Sequence, residues 1–315
     1  MSALAPMVVV SGATGFVGAA VLRQLVSRGA GAVALVRPTE DRQRIASLGG
    51  YQTVSFRRLD EPGLAEQLRA RQPAVLIHCA WGGLAGAERE AACQITDNVP
   101  LTIASVSLAA ACGCRQWIGL GSQAEYGNPN RVIAESAPTQ PTTIYGKAKL
   151  AAGLAALALC EATGLAGVWL RLFQIYGPGD VPQRFIPYVI REFLSGRRPQ
   201  LTACKQSWDY LYIDDAAAGI LSAADGSTTG VFNLGSGQTW PLTQIVGMIK
   251  EELGTPIEPA YGAIPYRPDQ VMHLQADIGK LRAATGWSPR VGLVEGLRLV
   301  IGWERELFAA SHKAG

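Results

Sequence analysis

The 315-residue sequence has no hydrophobic run long enough for a bilayer. The apolar stretch over residues 150–160 is eleven residues long, and a transmembrane helix needs about 20, so membrane insertion is excluded. There is no block of lysine or arginine either. Charged residues make up 17% of the chain and the formal net charge is +3, which leaves no basic arm for nucleic acid and points to a small-molecule partner. The opening "MSALAPMVVVSG" has neither a charged leader nor a signal-length apolar core, so a cytoplasmic protein is expected. Six cysteines are scattered along the chain. Cys112 and Cys114 form C-x-C, but no second pair or neighbouring histidine completes a zinc pattern, and no metal is expected. With 48% apolar residues a large core is available without disulfide staples, so reduced thiols are expected.

What is present is an alternation of short apolar strands with helices. "MVVVSG", "AVALVR", "TVSFR", "AVLIHCA", "QWIGLGS" and "GVWLRL" read as strands. They are rich in Val, Ile and Leu with little alternation, as in parallel strands covered on both faces. Helices are expected directly after the first strand and over residues 63–70, 88–112 and 145–163. This is an α/β chain with a doubly wound parallel sheet. Beyond residue 176 prolines and glycines become frequent. The expected division is a dinucleotide-binding domain over 1–176, joined by a segment near 211–238, and a smaller, loop-rich substrate lobe over most of 177–315.

Immediately after the first strand comes "SGATGFVG", a G-x-x-G-x-x-G spacing of Gly12, Gly15 and Gly18. The first glycine allows the tight turn, the second lets the backbone approach a pyrophosphate, and the third lets the helix pack on the sheet. The helix N-terminus offers N–H groups to the phosphates. The second strand ends in Arg37, where an NAD site usually has an acidic residue. A guanidinium suits a ribose 2′-phosphate, so NADP(H) is preferred, with NAD(H) as the alternative.

Tyr145 and Lys149 lie four apart on a predicted helix and share a face. An ammonium beside a phenol favours phenolate and would fit the tyrosine for proton exchange with a carbonyl or alcohol. Lys147 projects elsewhere. Ser122 ends the fifth strand, at the carboxyl edge where such sheets bind ligands. His78 is expected to be a packed strand-end residue, His273 is unplaced, His312 lies in a frayed tail, and Asp214 and Asp215 are expected to open a helix, where acidic side chains suit its dipole.

Together the glycine turn, Ser122, Tyr145 and Lys149 resemble the short-chain dehydrogenase/reductase superfamily. Length and later motifs resemble its extended branch of NAD(P)-dependent nucleotide-sugar epimerases, dehydratases and ketoreductases. "AVLIHCAW", "TDNVPLTIASVSLAAA" with Asn98, "RLFQIYGPGD", "WDYLYIDDAAAG" and two C-terminal segments carry the likeness across nearly the whole chain. The resemblance implies a Rossmann fold in which Gly12, Thr14, Gly15, Phe16, Val17, Gly18, Arg37, Asp60, Ala80, Tyr145, Lys149 and Phe173 hold the dinucleotide. One alignment puts Arg57 in the place of Asp60. Gln123, Gln174 and Arg267 are implied as contacts to a nucleotide-diphosphate sugar, and Ser122, Tyr145 and Lys149 as the catalytic set. A homodimer through the Tyr145 and Asn98 helices is implied too.

Departures narrow the reading. Gln123 and Ala124 stand where sugar dehydratases carry Asp-Glu, and neither can do that proton chemistry. Glu125, one place later, is expected to be a loop or surface carboxylate. Trp208 replaces a family arginine. The resulting expectation is NADPH-dependent reduction of a keto group, at C4, on a nucleotide-linked deoxysugar. The alternatives are an NAD-dependent epimerase, a reductase for a non-nucleotide carbonyl, and a non-enzymatic NADP-sensing protein.

Overall fold

The computed structural model describes residues 7–84, 86–268 and 270–313, with side chains as far as 310; His312 thus lies outside the described side chains. In chain order the strands are β1 (Met7–Ser11), β2 (Ala32–Val36), β3 (Gln52–Ser55), β4 (Pro73–His78), β5 (Gln116–Ser122), β6 (Arg131–Ile133), β7 (Ala166–Leu172), β8 (Gln174–Tyr176), β9 (Ser207–Trp208), β10 (Tyr210–Tyr212), β11 (Gly230–Leu234), β12 (Trp240–Pro241) and β13 (His273–Ala276). The helices are α1 (Phe16–Ser27), α2 (Leu64–Arg69), α3 (Cys93–Thr96), α4 (Asn98–Ala111), α5 (Ile144–Thr163), α6 (Phe185–Leu194), α7 (Ile213–Ser222), α8 (Leu242–Leu253), α9 (Gly279–Thr285) and α10 (Leu293–Lys313). Seven strands form one sheet in the order β11-β7-β5-β4-β1-β2-β3, and every pairing in it is parallel. The doubly wound α/β fold is therefore present. The chain order reverses between β1 and β4, the switch point at which such sheets bind ligands.

Alternate residues of the central strands feed two cores. Val8, Val10, Ala34 and Val36 face one layer with α1 and α7. Val9, Val33, Leu35 and Leu76 face the other, with α2, α4 and α5. The strands are buried on both sides, which is why they read as near-continuous apolar runs. β11 pairs with β7 at the sheet edge and α7 packs on α1. Asp214 and Asp215 stand in the first turn of α7, and the buried Asp215 accepts from the Arg290 and Val291 amides at 2.9 and 2.7 Å. A second sheet, β12-β9-β13-β6, lies outside the main one.

Two sequence expectations need correction. The single helix expected over 88–112 is a 3₁₀ turn at Gly86–Glu90, then α3, then α4. Pro100 has no N–H for the Thr96 carbonyl and its ring crowds that group, so a new helix starts at Asn98. The C-terminal third is not loop-rich: it holds α8, α9 and α10, and α10 runs for 21 residues. No helix among the described residues is long and apolar enough to cross a membrane. All six cysteines are free thiols, four of them buried.

Candidate active site

A cleft of about 690 Å³ opens along the carboxyl ends of β1, β4 and β5. The turn from β1 into α1 forms its floor. Gly12 sits at φ +69°, and a Cβ there would lie 2.5 Å from the Ala80 amide nitrogen; one on Gly18 would lie 2.1 Å from the Gly12 carbonyl oxygen. Helix α1 starts at an extended Gly15 with no side-chain cap and no acidic residue in its first turn. Its leading N–H groups have no intrahelical acceptor and suit an anionic diphosphate. The turn thus fits a dinucleotide. Gly12→Ala is expected to weaken NADH binding more than tenfold, read by fluorescence titration. It should also lower folding stability by more than about 1 kcal/mol, because alanine is strained at positive φ. Wild-type affinity in that variant would show that the turn holds no dinucleotide.

The corner where an adenosine ribose would lie is more crowded than the sequence implied. Arg37 lines the cleft, but its Nε donates to Glu40 Oε1 at 2.7 Å. The other Glu40 oxygen accepts from Thr14 Oγ1 at 3.1 Å. Asp60 also lines the cleft, with both oxygens taken by Arg58 at 2.9 and 2.7 Å; this pair holds the Asp60 carboxyl below its usual range. Arg57 borders the same corner, and no carboxylate among the described residues pairs with its side chain. Glu40 was missed because it lies beyond the strand end, in a turn whose path the sequence pattern does not fix.

Ser122, Tyr145 and Lys149 line one wall of the cleft, with Gln123, Phe173 and Gln174 nearby. The sheet-facing side of α5 carries Tyr145, Lys149, Ala152, Ala156 and Cys160, so the four-residue spacing places phenol and amine on one buried face, while Lys147 is exposed. Lys149 Nζ donates to the Leu120 carbonyl at 2.7 Å. It stands 3.6 Å from the Trp81 ring centroid and 5.9 Å from that of Tyr145. Burial pushes Lys149 down to about 7, with the Glu125 charge opposing. The expected acidic phenol is corrected: burial raises Tyr145 above its ordinary value, opposed by the Ser122 hydroxyl beside it and by the charges of Arg89 and Arg184. Desolvation is the largest cause of both shifts.

Glu125 is not a surface carboxylate. It is fully buried and accepts from the Ser122 amide at 2.8 Å, Trp169 Nε1 at 3.0 Å and Arg171 Nε at 2.7 Å. It thereby closes a capping box with Ser122 and fixes the backbone that presents the serine. Trp169 enters between β5 and α5 because Gly119, Gly121 and Gly153 leave it room; a Cβ on any of them would come within 2.7 Å of its ring.

Residues 81–84 and 86–90 cover the triad from the other side. Gln94, fully buried, donates to the Gly83 and Glu88 carbonyls at 2.6 and 3.0 Å and accepts from Trp81 Nε1 at 2.8 Å. Asn98 Oδ1 accepts from the Gly82 amide at 2.8 Å. So braced, Trp81 lies over the Lys149 amine and meets Tyr145 edge-on at 6.1 Å. Arg89 lies over the Tyr145 ring, 4.2 Å from its centroid, and Arg184 lines the cleft with an Asp180 oxygen 3.4 Å away. The sequence assigned roles to none of Trp81, Gln94, Arg89 and Arg184. Arg267, expected to meet a diphosphate, lies on an exposed stretch and is not part of the cleft wall. His273 stands in β13 beside Gln275, and His78 is buried with Nδ1 at 2.7 Å from Ser11 Oγ.

The model of the NAD dependent epimerase/dehydratase family matches residues 8–235. The chain is similar to a UDP-glucose 4-epimerase of Corynebacterium glutamicum, 32% identical over 61% of this chain and 64% of that one. It is also similar to a dTDP-6-deoxy-L-talose 4-dehydrogenase (NAD(P)(+)) of Kitasatospora kifunensis, 29% identical over 92% and 93% of the two chains. Among solved structures, MoeE5 in complex with UDP-glucuronic acid and NAD superposes with a TM-score of 0.81, at 27% identity over 95% of this chain and 99% of that one.

Proposed function

Since the chain belongs to the NAD dependent epimerase/dehydratase family, we propose that it is an NAD(P)-dependent oxidoreductase acting on a sugar ring carried by a nucleoside diphosphate. The reaction we favour is reduction of a keto group, at C4, on a nucleotide-linked deoxysugar. The observation that carries this reading is the placement of Ser122, Tyr145 and Lys149 on one wall of the cleft whose floor is the glycine turn. The likeness to a 4-dehydrogenase of a dTDP-linked deoxysugar along more than nine-tenths of both chains supports the carbon and the substrate class.

The dinucleotide, when bound, exchanges a hydride with the sugar carbon. The chain's own residues handle the rest. Ser122 donates to the carbonyl oxygen and orients it. Tyr145 delivers the proton that turns that oxygen into a hydroxyl. Lys149 binds the ribose and contributes positive charge to the wall. Gly12, Thr14, Gly15, Phe16, Val17 and Gly18 receive the diphosphate, with Ala80 and Phe173 bounding the dinucleotide. Gln123, Gln174 and Arg267 serve the sugar nucleotide, with Arg184 a further cation on the cleft wall. Residues 177–315 supply most of the substrate lobe. The homodimer through α4 and α5 is part of the proposal, since α5 leaves Leu154 65% exposed.

Mixing the protein with NAD(P)H and a dTDP-linked 4-keto-6-deoxysugar tests the reading. Stoichiometric coenzyme oxidation supports reduction. Interconversion of a UDP-sugar with its C4 epimer, with no net change in coenzyme, supports the epimerase. The epimerase reading is favoured by the Arg37 pairing with Glu40, because the argument for NADP(H) required a free guanidinium.

The coenzyme choice turns on the same pair. The Glu40 carboxylate bonded to Arg37 would repel a 2′-phosphate at that guanidinium, whereas a ribose hydroxyl can donate to it. Glu40→Gln is therefore expected to improve NADPH binding relative to NADH by about tenfold, or ~1.4 kcal/mol, in paired fluorescence titrations. An unchanged ratio would remove Glu40 and Arg37 from the choice of coenzyme.

A further inference from the structure

Arg89 lies nearer the face of the Tyr145 ring than Lys149 does, 4.2 Å from its centroid against 5.9 Å. Among the described residues no carboxylate lies within ion-pair distance of it. Its position is built rather than incidental. The Glu88 carbonyl accepts from Gln94, and Glu90 Oε2 accepts from the Ile144 amide at 3.1 Å, in the first turn of the helix that carries the tyrosine. The residues on either side of Arg89 are thus pinned to α4's neighbour and to α5. Lys149 is less well placed for the phenol: its amine is turned to the Leu120 carbonyl and covered by Trp81.

We propose that Arg89 is a positioning residue for Tyr145, its guanidinium stabilising the negative oxygen that the phenol bears once its proton has left. The physical basis is the attraction of an opposite charge a few ångströms away in a wall with little water, added to the contact between guanidinium and ring face. The other groups facing Tyr145 do not replace it. From the turn after β5 come the Ser122 hydroxyl, and Glu125, whose charge opposes a phenolate. From the N-cap of α6 comes Arg184, which shares its charge with Asp180. On α5 itself lies Lys149, and beside that amine in β4 and its exit are His78 and Cys79, both kept neutral at pH 7 by burial. The proposal rests on Tyr145 as the proton carrier, but its test needs neither sugar nor coenzyme, so a wrong substrate class leaves it standing.

Tyr145 is replaced by 3,5-difluorotyrosine, whose phenol ionises at lower pH, and its titration is followed by fluorine NMR in the otherwise intact protein. The midpoint is expected to rise by about one pH unit on Arg89→Met. Arg89→Lys, which keeps the charge, should recover at least half of that rise. Thermal melts establish that each variant is folded, and Arg89→Gln makes the same comparison if Arg89→Met is not. Superimposable titrations with arginine and a neutral residue at position 89 overturn the proposal. So does a rise that lysine leaves unrepaired, since that outcome assigns Arg89 a packing role alone.

Discussion

Tyr145→Phe is expected to lower kcat by about 10²- to 10⁴-fold, the range over which a positioned acid or base contributes to catalysis. Dinucleotide affinity and thermal stability should stay near wild type. The ring keeps its neighbours: Trp81 still meets it edge-on and Arg89 still covers its face. Only the hydroxyl is lost, and with it the proton that has to reach the sugar oxygen. Ser122 remains to polarise the carbonyl, so residual turnover above the background is expected. A KM close to wild type together with the fall in kcat would place the loss in the chemical step rather than in binding. Turnover within threefold of wild type would remove Tyr145 from the reaction, and the proposed chemistry with it.

The second large effect is on stability. Glu125→Ala is expected to cost about 3–5 kcal/mol, as does breaking a buried ion pair from one side. The deletion leaves the Arg171 guanidinium, 8% exposed, without its carboxylate. It also leaves the Ser122 amide and the Trp169 indole N–H without an acceptor. A paired replacement, Glu125→Leu with Arg171→Met, should recover much of the loss, because hydrophobic residues of similar size often replace a buried pair without penalty. Turnover should not recover with it, since nothing then holds the Ser122 amide. Urea unfolding of the three proteins measures the first effect and steady-state rates the second. A single variant within 1 kcal/mol of wild type would mean that the pair is not what secures the end of β5.

The parts of the site that could be read from sequence are those whose geometry is local. The glycine spacing lies within one turn, Tyr145 and Lys149 share one helix, and Ser122 ends one strand. Each needs only the period of its own element to be placed. Arg89, Trp81 and Arg184 reach the cleft from segments whose path is set by distant contacts, such as Gln94 gripping the Gly83 and Glu88 carbonyls, and no periodicity announces them. Glu125 was misread for a related reason. A carboxylate in "GSQAEYG" looks like a turn residue, and its partner is 46 positions away on β7. A signal was nonetheless there: an arginine inside "VWLRL", a strand otherwise fully apolar, requires a buried anion to meet it. The long C-terminal helix was legible too, with Leu293, Leu297, Val300, Ile301 and Glu304 on one buried face, but the prolines and glycines before it drew attention to loops. The reading of Arg37 did not include its pairing with Glu40. A carboxylate three residues on pairs with that guanidinium, and a strand-end position does not announce such a neighbour.

Trp169 has a consequence for how this sequence can drift. Its indole occupies space that three glycines, on β5 and α5, leave open beneath the triad, and its N–H is spent on Glu125. A methyl group at Gly119, Gly121 or Gly153 collides with the ring, while a smaller ring leaves a void and takes one of three donors from Glu125. Neither change is tolerable first, so these positions, with Trp117 lying 2.2 Å from a Cβ on Gly119, are locked epistatically: lineages should keep all of them or exchange them as a block.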